Sequence, residues 1–282
     1  MPAPKVLDPS SSLTALYGAK LRKLRERAGL TQRQLGEKVH LTHSRIAKIE
    51  LGVERAPQDV SDRLDEVLDA DGDLSDLWGC LNRLPFSDST RKYMQYEAKS
   101  VAIHMYLAHC VPGLLQTEAY AREVMRCGQP WCTADEIEEK VAARIARKGI
   151  LEKAEAPLLW VVLDEAVIRR PVGGPSVMGE QLEHVLAVSK ATNVEIQVLP
   201  FAAGAHAALG GSLTLMSFDN GPDMAYLEGD AWSEMVRDRK SVARHSHRYD
   251  LVHAAALTPA ASVTWLEKAV EELSTCRPYE PT

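Results

Sequence analysis

From Leu13 to about Leu81 the apolar residues recur at helical spacing in short blocks, each closed by a glycine or a polar break. Leu13, Leu16, Tyr17, Leu21, Leu24 and Ala28 place one face of a first helix on a core, and Gly29 ends it. Thr31 opens a second helix, with Gln34 three residues on as the reciprocal partner of a capping box and Leu35 and Val39 facing inward. After a tight turn at His40 and Leu41, Thr42 caps a third helix that buries Ile46 and Ile49 and stops at Gly52. Pro57 is expected at the N1 position of a fourth helix, with Val60, Leu64, Val67 and Leu68 on one face, and a fifth spans Asp73 to Leu81. The pattern predicts an all-α, five-helix domain over residues 13–83, preceded by a Pro- and Ser-rich segment, residues 1–12, that is expected to be disordered.

Residues 84–90, Leu-Pro-Phe-Ser-Asp-Ser-Thr, are turn formers and read as a linker. Beyond them helical segments are predicted near 91–108, 116–127 and 134–149, the last opened by a Thr133 and Glu136 capping box. Leu158 to Leu163 is a continuous apolar run of strand length, and a helix follows on Met178, Leu182, Val185 and Leu186. Val194 to Leu199 alternates as a half-buried strand and Pro200 ends it. Leu213 to Phe218 and Met224 to Glu228 flank Asp219-Asn-Gly-Pro-Asp223 as a hairpin would, and helices are predicted near 231–257 and 260–275. Residues 91–276 thus form a mixed α+β domain with a small, largely antiparallel sheet, followed by a tail, 277–282.

With 45% hydrophobic and 26% charged residues, the 282-residue chain is not disordered wholesale. No apolar run approaches the roughly 20 residues that span a bilayer, and residues 1–12 lack the apolar core of a signal peptide, so a cytoplasmic protein without membrane attachment is expected. Five cysteines form no C-x-x-C pair, and their odd number argues for reduced thiols. The net charge of −6 hides a division: residues 1–58 carry eleven Lys and Arg against five Asp and Glu, a net +6, which leaves −12 for the remainder. A basic head attracts a polyanion, and an acidic body is expected to keep its own binding surface away from phosphate.

Two short helices joined by a tight turn inside such a head have helix-turn-helix geometry, in which the second helix enters the major groove of double-stranded DNA. With Ile46 and Ile49 turned inward, His43, Ser44, Arg45 and Lys48 are left facing outward, and these side chains can read base edges or meet phosphate. Arg22, Lys23, Arg27, Arg33, Arg45 and Arg55 are the candidates for the DNA backbone. Gly29-Leu-Thr-Gln-Arg-Gln-Leu-Gly-Glu-Lys-Val39, Leu41-Thr-His-Ser-Arg-Ile-Ala-Lys-Ile-Glu-Leu-Gly52 and Pro57 closely resemble the lambda-repressor-like (XRE) helix-turn-helix family over about residues 16–70. The resemblance implies DNA contacts at Gln32, Thr42, His43, Ser44 and Lys48, and a structural ion pair between Arg25 and Glu50 that orients the recognition helix. His40 stands where that family commonly has Gly. Since one helix reads only a few base pairs, a homodimer with heads about 34 Å apart is expected.

Val111-Pro-Gly-Leu-Leu-Gln-Thr-Glu-Ala-Tyr-Ala-Arg122, Leu163-Asp-Glu-Ala-Val-Ile-Arg-Arg170, Met178-Gly-Glu-Gln-Leu182 and Ile196-Gln-Val-Leu-Pro200 resemble the C-terminal domain of actinomycete XRE regulators described as antitoxin-like, over about residues 95–270. Such regulators are often encoded beside a small partner protein, which implies a partner protein or a small-molecule effector for this domain. No catalytic residues, cofactor or metal are expected. Asp164, Glu165, Glu228 and Asp230 follow strands as loop caps do, and His206 in the Gly-rich segment 204–211 is a candidate contact for a partner or ligand. Two other readings stay open: an antitoxin that mainly neutralises a small protein, and a DNA-tethered enzyme, which would bring carboxylates and His206 into one pocket.

Overall fold

A computed structural model describes residues 8–82, 88–229 and 232–275, and the chain divides into two units, Met1–Asp88 and Ser89–Thr282. In the first unit, Asp8 accepts from Ser10 N at 2.9 Å and starts a 3-10 turn, Pro9–Ser11. This ordered turn lies inside the segment expected to be disordered, of which residues 1–7 are outside the described residues. Helices α1 (Leu13–Arg27), α2 (Gln32–Val39), α3 (His43–Glu50), α4 (Gln58–Leu68) and α5 (Asp73–Asn82) follow. The Thr31 and Gln34 capping box opens α2, and Pro57 sits one residue before the first helical residue of α4.

Leu21, Leu35, Ile46, Ile49, Leu64 and Leu74 are fully buried at the centre of this unit, each contributing roughly 1.5–3 kcal/mol. Close packing of α3 depends on two small residues. A Cβ at Gly18 would lie 2.6 Å from the Ile49 carbonyl oxygen, and one at Gly36 would lie 2.4 Å from that of Leu41. His40 adopts a left-handed φ of +58°, which costs a residue with a Cβ on the order of 1 kcal/mol, and the α2–α3 turn closes around it. Buried Asp65 accepts from the backbone N–H groups of Gly72, Leu74 and Ser75 at 2.7–2.8 Å and so joins α4 to the start of α5.

The second unit contains α6 (Asp88–Glu97), β1 (Ala102–Leu107), α7 (Glu118–Gly128), α8 (Ala134–Ala146), β2 (Leu158–Asp164), α9 (Glu165–Arg169), α10 (Gly174–Val188), β3 (Val194–Leu199), β4 (Ser212–Ser217), β5 (Met224–Glu228), β6 (Ser233–Val236), α11 (Arg239–Ala255) and α12 (Pro259–Thr275). The six strands form one sheet in the order β3-β2-β1-β4-β5-β6. Three of its pairings are antiparallel, β1 with β4, β4 with β5 and β5 with β6, and β1–β2 and β2–β3 are parallel. Core side chains of α10 and α12 cover one face and those of α11 the other, giving three layers.

Four sequence expectations are corrected here. The helix expected over 91–108 is α6 followed by β1, because the central strand is covered on both faces and its apolar run carries no clear period. The helix expected near 231–257 begins only at Arg239, after the four-residue edge strand β6. The helix expected over 134–149 ends at Ala146 and tightens into a 3-10 helix, Arg147–Glu152. The expected linker 84–90 ends in helix, since α6 already starts at Asp88, and residues 84–87 are outside the described residues, as is the tail 277–282.

Candidate nucleic-acid interface

The face of α3 opposite Ile46 and Ile49 is built from its own sequence. Thr42 Oγ1 accepts from Arg45 N at 3.3 Å and fixes the first turn. His43, Ser44, Arg45 and Lys48 are exposed beyond it. A helix start with hydroxyl, imidazole and ammonium groups and no carboxylate on its open face offers donors and acceptors to base edges without repelling phosphate.

Glu50, fully buried at the end of α3, is the hub that holds this face in place. Its carboxylate accepts from Arg25 Nε at 2.5 Å and Nη2 at 3.1 Å, and from Gln32 Nε2 at 2.8 Å. Arg22 Nε lies 3.6 Å away. Arg25 Nη1 donates to the Leu30 carbonyl at 2.9 Å, and the hydrogen bond to Glu50 keeps the Arg25 guanidinium firmly protonated. One carboxylate therefore ties α1, α2 and α3 together. Gln32, a candidate DNA contact, has one amide hydrogen committed to Glu50 and keeps its carbonyl oxygen and second N–H for other partners.

The candidate backbone cations fall into two groups. Lys23, Arg27, Lys48 and Arg55 are exposed and have no acidic partner among the described residues; Lys38, which the sequence reading passed over, shares this state. Arg33 pairs with Glu37 at 3.2 Å, Arg45 with Glu54 at 2.6 Å, and Arg22 flanks Glu50. Neither the Arg45–Glu54 pair nor the Gln32–Glu50 bond has a signature in local spacing. The acidic balance is distributed differently from the expected basic head on an acidic body. Residues 59–88 hold nine Asp and Glu against two Arg, a net −7, and 89–282 hold twenty-five against twenty, a net −5. Exposed Asp59, Asp62, Glu66, Asp69, Asp71, Asp73 and Asp76 thus load α4, α5 and the turn between them with negative charge, on the same unit as the basic α1–α3.

In the second unit, His206 is turned inward with 7% of its side chain exposed. Its ring meets the Tyr106 ring edge-on, with Nε2 3.3 Å from the Tyr106 hydroxyl and 3.9 Å from Asp164 Oδ2, and Tyr106 donates to Asp164 at 2.9 Å. Burial, followed by the Asp164 carboxylate, pushes the Tyr106 hydroxyl well above its ordinary range. Asp164 also caps α9 by accepting from Ala166 N, and Glu165 accepts from Phe201 N at 2.8 Å. Of the candidate carboxylates, Asp164 stands beside His206, Glu165 holds the Phe201 amide, Glu228 ends β5, and Asp230 is outside the described residues. No group of three His, Cys, Asp or Glu side chains that could hold a metal ion occurs among the described residues. No helix of these residues is long and apolar enough to cross a membrane.

A family model described as a helix-turn-helix domain matches residues 16–78, which span all five helices of the first unit but the ends of α1 and α5. A second, described as a domain of unknown function (DUF5753), matches residues 90–268, from α6 into α12. No curated protein and no solved structure matches the chain.

Proposed function

This chain belongs to the DUF5753 family and carries a helix-turn-helix domain ahead of that family's domain, and from that premise we propose a sequence-specific transcriptional regulator that docks Thr42 to Lys48 of α3 in the major groove. One observation carries the reading: the exposed polar face of α3 is locked to α1 and α2 through buried Glu50, so its side chains meet DNA from a rigid base. Gln32, Thr42, His43, Ser44 and Lys48 take the bases or their edges, and Lys23, Arg27 and Arg55, with Arg22, Arg33 and Arg45, take the phosphates. The protein acts in the cytoplasm as a homodimer, because one head reads too few base pairs for useful specificity. Its C-terminal unit dimerises it and receives a small partner protein or small molecule, the antitoxin-like arrangement of the regulators that residues 95–270 resemble.

The test begins with duplexes selected from a random pool by the full chain. Lys48→Ala and Ser44→Ala should each change which bases are preferred, by about 1–3 kcal/mol per lost contact. Arg55→Ala should weaken every sequence alike and reduce the slope of log K against log salt by about 0.9. Parallel losses for all three variants would sink the assignment of α3 as the reading helix.

A further inference from the structure

Two buried side-chain polar atoms among the described residues lack a hydrogen-bond partner, Thr14 Oγ1 and Arg144 Nε. The first is a neutral hydroxyl. The second belongs to a cation at the end of α8 that is mostly buried, and Arg144 has no ion pair among the described residues, its Nη1 donating only to the amide oxygen of Gln116 at 3.1 Å. Arg25 and Arg147, which also pack inside their units, are each matched with a carboxylate, Glu50 and Glu97. A buried guanidinium with donors left over costs several kcal/mol of desolvation unless an anion meets it.

The surroundings indicate where that anion would sit. Arg147, one helical turn on, uses Nε and Nη2 on Glu97 at 2.9 and 2.7 Å and rests over the Tyr93 ring, which leaves its Nη1 without a protein acceptor among the described residues. Both arginines close over the backbone of Gly113. A Cβ placed there would lie 3.2 Å from Arg144 Cδ and 3.6 Å from both the unpartnered Arg144 Nε and Arg147 Nη1. Gln116 is fully buried and donates to the Val111 carbonyl at 2.7 Å, so the loop that carries Gly113 is held fast. Glu228, at the end of β5, retains solvent access. Partial burial pushes its carboxyl up, against the pull of the Arg144, Arg147 and His109 charges. The loop that carries Gly113 begins at Ala108, just past β1, which puts the two arginines near the carboxyl end of a strand that runs parallel to β2, where open α/β sheets bind ligands.

We propose that Arg144 and Arg147, meeting above Gly113, bind the anionic group of a small molecule, a carboxylate or a phosphate. The site deepens the regulatory reading by naming the chemistry of its effector. It rests on that reading only for the consequence at DNA, not for the binding.

The full chain is titrated at fixed ionic strength with inorganic phosphate and, separately, with succinate, against chloride, and its melting temperature is followed. At least one of the two anions should give a saturable rise, which identifies the source of the anionic group. Arg144→Gln should weaken that response at least tenfold, and a chain with Lys48→Ala and Arg55→Ala should keep it. Gly113→Ala, which leaves every charge in place and fills the meeting point, should weaken it several-fold and decides the matter if Arg144→Gln does not fold. No saturable response to either anion, or an equal response in the variants at 144 and 113, overturns the site. Binding to a mixed-sequence 40-base-pair duplex is measured alongside: an intact anion response without DNA binding would defeat the regulatory reading and leave the site standing.

Discussion

Each unit encloses a charge, and the two are treated in opposite ways. In the head, buried Glu50 receives two hydrogen bonds from Arg25 and one from Gln32. In the C-terminal unit, Arg144 keeps a buried nitrogen with no acceptor. A closed network stiffens the elements it joins, whereas an open one leaves affinity unspent for something outside the chain. The contrast separates a part built to hold a shape from a part built to receive.

Removing the two charges is the most direct way to break the comparison. Glu50→Ala leaves the Arg25 guanidinium buried without its partner and should cost the head about 3–5 kcal/mol. Arg144→Met removes a cation that has no ion pair among the described residues but leaves the buried Gln116 amide oxygen without its donor, and should cost its unit about 1–2 kcal/mol. Denaturant unfolding of both variants checks this, and equal losses would erase the distinction. Asp65→Ala, which deprives three backbone N–H groups at the start of α5 of their acceptor, should cost about 2–3 kcal/mol by the same measurement.

The smallest effect is a pH dependence. Because the Glu228 carboxyl is raised in the folded unit, its contribution to stability is full below the ordinary carboxylate range and is lost as pH rises through its folded value. Glu228→Gln should therefore gain stability relative to the parent chain between about pH 4 and pH 7. A difference in melting temperature that stays constant or shrinks over that interval would show that folding does not raise the Glu228 carboxyl.

The helices of the head were legible because each carries its own stop and start: Thr31 with Gln34, Thr42 and Gly52 all act within four residues of the end they define. The Arg25–Glu50 pair came from resemblance alone. The bond from Gln32 to the same carboxylate depends on how α2 lies against α3 and has no local mark. In the second unit, β1 escaped notice because a central strand reads as unpatterned apolar sequence, and β6 because four half-polar residues at an edge give too short a signal. Arg144 and Arg147 stand three apart, a visible helical pairing, yet the residue that satisfies Arg147 lies fifty positions upstream and nothing in the chain announces that Arg144 has no such match.

The loading of α4 and α5 with carboxylates, on a unit whose α1 to α3 are cationic, makes the head a small compass needle. In the field of a duplex it swings its basic pole forward before contact, so fewer encounters begin with the wrong side presented. The carboxylates of α4 and α5 repel phosphate wherever a duplex approaches them.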